Sequence, residues 1–87
     1  MPRYTIQTVS SSGSFASPEG HNVQHAWNRT DIKAALIDWE DEHWKVGAEP
    51  TDASLLVWVG EYYDVTDVYP DMEVHRGPKG GIVFNNV

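Results

Sequence analysis

The chain has 87 residues, of which 40% are apolar and 11% aromatic. That is a single domain (1–87), near the lower size limit for independent folding and too small for a chamber around a large cofactor. With no cysteine, disulfide scaffolds, thiolate zinc fingers, iron–sulfur clusters and cysteine nucleophiles are excluded, and a net charge of −7 argues against direct nucleic-acid binding or an anionic membrane surface.

Tyr4, Ile6 and Thr8 alternate with Thr5, Gln7 and Val9, which predicts a first strand over about residues 3–9. Ser10-Ser11-Ser12-Gly13-Ser14 ends it as a loop, and Pro18-Glu19-Gly20 is a second turn signal. Phe15, between them, is expected to pin the loop to the core. Val23, His25 and Trp27 alternate with Gln24 and Ala26, so a short strand at 22–27 should pair with the first as a hairpin.

A helix follows. Thr30 is the expected N-cap, and Asp31 places an anion in the first turn, where the helix dipole favours it. Ile32, Ala35, Leu36, Trp39 and His43 share one side and should face a sheet. Gly47, with Glu49-Pro50 beyond it, stops the helix. Ile37 and Trp44 are two turns apart and lie about 120–140° from that main stripe. They form either a second, narrower apolar stripe that meets a partner or a second copy of the chain, or a single exposed isoleucine with Trp44 folded under the last turn.

Leu55-Leu56-Val57-Trp58-Val59 is apolar on both faces, as a central strand is. Leu55, Val57 and Val59 share one face, and Leu56 and Trp58 the other. One helix covers one face, so loop residues, tyrosines or another subunit must cover the second. After a turn at Gly60-Glu61, Tyr62–Val65 reads as a short returning strand. Val65, Val68 and Tyr69 are expected satellite anchors of the core. Residues 72–76 are extended, Gly77-Pro78-Lys79-Gly80-Gly81 is a turn, and Ile82-Val83-Phe84 is the last strand. The fold class is α+β: a small antiparallel or mixed sheet of four to five strands with one main helix on one face, in the order β-β-α-β-β-β.

Charge is unevenly spread. Residues 46–75 hold Glu49, Asp52, Glu61, Asp64, Asp67, Asp71 and Glu73 and no lysine or arginine. Such a segment is either a solvated surface or a face complementary to a basic protein, where opposite fields speed encounter. Arg76 and Lys79 could pair with it inside the chain.

No chemistry-bearing constellation is complete. His21 and His25 would lie about 13 Å apart along a strand, too far to share a metal. Asp38, Glu40, Asp41 and Glu42 read as a solvated helix face. Asp64 to Glu73 lacks the order of a calcium loop, and Lys79 precedes the last two glycines rather than closing a phosphate loop. His75 or His25 could act as a base and Ser10 to Ser12 as nucleophiles, but no nucleophile elbow frames them. No catalytic residue, metal ligand or cofactor is expected. Asn28-Arg29-Thr30 matches a glycosylation sequon, read as chance because no secretion signal precedes it. With no apolar run long enough to span a membrane, a cytoplasmic location is expected.

Leu55-Leu56-Val57-Trp58, Asp64-Val65-Thr66-Asp67-Val68-Tyr69-Pro70-Asp71 and Gly77-Pro78-Lys79-Gly80-Gly81-Ile82 together resemble a pattern in small proteins of actinobacteria and their phages. The resemblance covers mainly residues 55–82. It implies a compact accessory protein, encoded by an actinobacterium or by a phage, that acts by binding a host or phage protein, and it assigns no residue a role.

The expected function is therefore non-enzymatic binding of a basic-surfaced protein through Ile37, Trp44, Asp41, Glu61, Asp64, Asp67 and Asp71. Two alternatives stand beside it. One is a structural homodimer. The other is a small metal-dependent hydrolase or nuclease using carboxylates and a histidine.

Overall fold

The computed structural model describes residues 3–10, 20 and 22–87. The elements are β1 (Tyr4–Ser10), β2 (Gln24–Ala26), α1 (Arg29–Lys45), a 3-10 turn (Pro50–Asp52), β3 (Ala53–Val59), β4 (Met72–Arg76) and β5 (Ile82–Asn86). The five strands form one antiparallel sheet in the order β2-β1-β3-β4-β5. The hairpin of β1 and β2 is present, with Tyr4 opposite Ala26 and Ile6 opposite Gln24. The expected positions of Ser11 to Ser12, Phe15 and His21 lie outside the described residues.

Alternation sorts the sheet into two faces. Ile6, Ala26, Ala53, Leu55, Val57, Met72 and Val74 point towards α1 and close the core with Ile32 and Leu36. Leu55, Val57, Val74, Ile32 and Leu36 are wholly buried. At about 25 cal/mol per Å² of buried apolar surface, this seam is the main source of stability.

The start of α1 corrects the sequence reading. Asn28, not Thr30, is the N-cap: its Oδ1 accepts the Asp31 amide at 2.9 Å. Asp31 Oδ2 in turn accepts the Trp27 amide at 3.1 Å. The two side chains satisfy two backbone donors at the helix start, a variant of the capping box in which Asp31 takes the amide one residue before the cap, and Thr30 is carried into the first turn. Gly47 ends the helix as expected. Its φ of 77° lies in the left-handed region. From there its N–H donates to Trp44 O, and the Ala48 N–H donates to His43 O, the paired bonds of a Schellman ending.

The second face of the sheet is covered around Thr5 and Trp58 by the chain between β3 and β4. Residues 62–65 are not a strand. Gly60, at φ 120°, turns the backbone away from the ladder. The Thr5 hydroxyl donates to Gly60 O and accepts the Tyr62 N–H, both at 2.8 Å, so that amide is spent on a side chain rather than on a strand. The Trp58 indole donates to Val68 O at 2.9 Å, and Trp58 is 2% exposed. The Val65 amide donates to Gly20 O, and Val65 is buried as expected. Tyr69 is not an anchor, since it is 91% exposed. The two-sided apolar strand is thus explained at Trp58 by the chain itself, while Leu56 stays half-buried. Among the described residues no helix is long and apolar enough to cross a membrane.

Candidate functional site

The side chains singled out from the sequence fall into two groups that do not share a surface. Ile37, Asp41 and Trp44 lie on α1. Glu61, Asp64, Asp67 and Asp71 lie on the segment 60–71, which packs on the opposite side of the sheet.

On α1, the helical repeat of 100° per residue divides the exposed surface into stripes. Ile37 and Trp44 flank Glu40, whose carboxylate reaches across to Arg76 at the end of β4. They therefore lean towards the β4–β5 side. Trp44 is 73% exposed and does not fold under the last turn, and Ile37 is 52% exposed. Val46, just past the helix, is exposed too. Asp41 sits at the outer crest. It shares Lys45 with Glu42, each carboxylate 3.4 Å from Nζ. The hydrogen bond that Lys45 donates to Asp41, and then the charge of Glu42, hold the ammonium above its ordinary pKa.

Asp31, Asp38 and Glu42 occupy the other flank, towards β1 and β2. Here the sequence reading missed a feature. A groove of about 550 Å³ runs between α1 and this edge, floored by Ile6, Thr8, Ala35 and Trp39. The spacing of Asp31, Ala34, Asp38, Asp41 and Lys45 was its signal, since it puts small and charged residues in one helical row. The Trp39 indole donates to Val9 O at 2.8 Å and fixes one wall.

The carboxylate run on α1 is not uniformly solvated. Glu40 takes Arg76 in a two-point pair, Nη2 to Oε1 at 2.6 Å and Nε to Oε2 at 3.1 Å. Arg76 Nη1 also donates to Gly80 O at 2.8 Å. The hydrogen bonds donated to the Glu40 carboxylate hold the guanidinium above its ordinary pKa. This corrects the expectation that Arg76 pairs with the acidic middle of the chain: its partner is on the helix.

Along 60–71 the carboxylates serve local structure. Asp71 Oδ2 accepts the Val59 amide at 2.7 Å, and Asp64 Oδ1 accepts the Thr66 amide at 2.9 Å. Glu61 accepts the Tyr63 phenol, and this hydrogen bond raises the phenol's pKa. Asp67 is exposed.

The histidines are spread through the fold. His43 is wholly buried, with Nδ1 3.0 Å from Trp39 O and its ring edge-on to the Trp39 indole. A carbonyl only accepts, so Nδ1 carries the proton. By the same reasoning His25 Nε2 donates to Tyr62 O at 2.7 Å. His75 Nδ1 lies 3.4 Å from Glu73 Oε1, next to Ser54 on the neighbouring strand. Among the described residues no group of three or more histidine, aspartate or glutamate side chains is placed to hold a metal ion.

No protein-family model, curated protein or solved structure matches this chain.

Proposed function

We propose that this protein is a non-enzymatic accessory protein that binds another protein, and that the contact centres on Ile37 and Trp44 of α1. The observation that carries this reading is the pair itself. Two large apolar side chains, seven residues apart on one helix, stand 52% and 73% exposed. Neither is needed inside, because Ile32, Leu36 and Trp39 fill the sheet-facing side. Tryptophan concentrates binding energy when a partner removes it from water.

Charge supports a partner with a basic surface. Asp41 lies beside the stripe and Asp31, Asp38 and Glu42 along the adjoining groove, in a chain of net charge −7. Opposite charge on the partner steers encounter and fixes orientation. Glu61, Asp64, Asp67 and Asp71 lie across the molecule and contribute long-range field rather than contact. The resemblance to small proteins of actinobacteria and their phages supports a host or phage protein as the partner.

The test is affinity capture from host lysate with the native chain and with Trp44→Ala and Ile37→Ser, followed by mass spectrometry. A basic protein retained by the native chain and lost from both variants, with their melting temperatures unchanged, is the expected result. Equal retention by all three chains overturns the assignment of the surface.

A further inference from the structure

The two edges of the sheet are not alike. Natural edge strands are kept from pairing by shortness, by lysine or proline, or by a bulge. β2 is three residues long and meets the first condition. β5 has five residues, Ile82-Val83-Phe84-Asn85-Asn86, with neither proline nor charge. From Gly80 to Val87 there is no charged side chain, although the chain as a whole carries −7. Among the described residues no strand pairs with the outer side of β5.

The hydrogen-bond parity of this edge is fixed. The Gly77 amide donates to Gly81 O and the Val87 amide to Asp71 O. These bonds turn the backbone groups of residues 81 and 87 inward, towards β4. Antiparallel pairing alternates, so 83 and 85 also face inward, and Ile82, Phe84 and Asn86 direct their N–H and C=O groups outward. That outward set is symmetric about Phe84.

We infer that β5 is an interface for a second copy of this chain, joined antiparallel about a two-fold axis at Phe84. In that register Ile82 of each copy faces Asn86 of the other and Phe84 faces Phe84. Every outward group then finds a complement, in about six inter-chain hydrogen bonds. The axis stands perpendicular to the sheet, so both Phe84 rings emerge on the helix face. There Phe84 and Ile82 are only half-buried and Arg29 lies over the Phe84 ring at 5.0 Å. Cross-strand aromatic pairs stabilise such joints. The occupant is a second copy because its own β5, in that register, sets Phe84 against Phe84 on the helix face and brings neither proline nor charge to the joint. The uncharged strand also lets two chains of net charge −7 meet without opposed carboxylates.

This interface is separate from the Ile37–Trp44 surface, and salt distinguishes the two. Screening weakens capture of a basic partner, but it strengthens self-association of two acidic chains. The experiment is sedimentation of the purified chain from ~10 µM to ~1 mM, a range suited to a small interface. Amide hydrogen exchange is read at the same concentrations. Expected are a monomer–dimer equilibrium that tightens with added salt, and joint protection of the Ile82, Phe84 and Asn86 amides as concentration rises. Asn86→Pro removes an outward N–H and leaves the β4 ladder intact, so it should weaken association about tenfold. A chain that stays monomeric at the highest concentration overturns the inference. So does a dimer in which those three amides exchange as they do in dilute solution; this readout needs no variant to fold.

Discussion

The hydroxyl of Thr5, on β1, donates to the carbonyl of Gly60 at 2.8 Å and ties the segment after β3 back onto the sheet it has just left. The same oxygen accepts the Tyr62 amide, and Thr5 is wholly buried. One side chain therefore satisfies two backbone groups that turn the chain over Trp58. Thr5→Val keeps the shape and removes both bonds. Leaving buried polar groups without partners costs about 1–3 kcal/mol. Urea unfolding should show a loss of that size for Thr5→Val and a much smaller one for Thr5→Ser.

Gly20 lies where this segment closes. A Cβ added there would sit 1.9 Å from Thr66 Oγ1 and 2.7 Å from the Thr66 Cα. The hydroxyl can swing away, but the backbone atom cannot without moving the turn. Gly20→Ala is therefore expected to lower the melting temperature and to raise the exposure of Trp58, which tryptophan fluorescence reports. Gly47→Ala has open space around it, so its cost comes only from the positive φ, about 1 kcal/mol.

The sequence made the regular elements legible because each carried its own periodicity. Ile32, Leu36 and His43 are buried at helical spacing, and Leu55 and Val57 at strand spacing. What it hid depended on distant partners. Tyr62-Tyr63 has strand-like composition, but Thr5, more than fifty residues earlier, takes the amide a strand would have used. Thr30 is as good a cap by type as Asn28. Asn28 wins because its Oδ1 takes the Asp31 amide while the Asp31 carboxylate takes the amide of Trp27 just before it. The pairing of Arg76 with Glu40 was unreadable without knowing that β4 runs up beside α1. Among the site residues, Ile37 and Trp44 could be read from the helical wheel. The split of the seven candidates between two sides of the sheet could not, because it follows from the path of residues 60–71.

The two helical stripes should respond to mutation in opposite ways. Leu36 is wholly buried, and Leu36→Ala should cost about 2–5 kcal/mol in unfolding free energy. Trp44→Ala, on the exposed stripe, should change that quantity by no more than about 0.5 kcal/mol. Its cost should appear in partner association, at about 2 kcal/mol or more. Denaturation and binding measured on the same samples check both.

The Glu40–Arg76 pair joins the helix to the end of β4 by two near-parallel bonds, with side chains 16% and 30% exposed. Partial burial and two-point geometry set it apart from the Lys45 pairs, which are largely exposed and contribute little. A double-mutant cycle with Glu40→Gln and Arg76→Met should return a coupling of about 1 kcal/mol that falls as salt is added. The corresponding cycle for Asp41 and Lys45 should return a smaller value.

Tyr63 and Glu61 give the segment after β3 an alkaline limit. The phenol donates to the carboxylate, and this bond, followed by the negative charge it faces, raises the Tyr63 pKa above its ordinary value near 10. A group whose pKa is raised on folding stabilises the fold fully below its unfolded pKa. That contribution is lost as pH climbs through the folded value, when phenolate and carboxylate would face each other. The pair is therefore intact at neutral pH and opens in alkali. A tyrosinate absorbance titration should show one phenol ionising late. Tyr63→Phe should delete that step, and Glu61→Gln should bring it down into the range of an ordinary tyrosine.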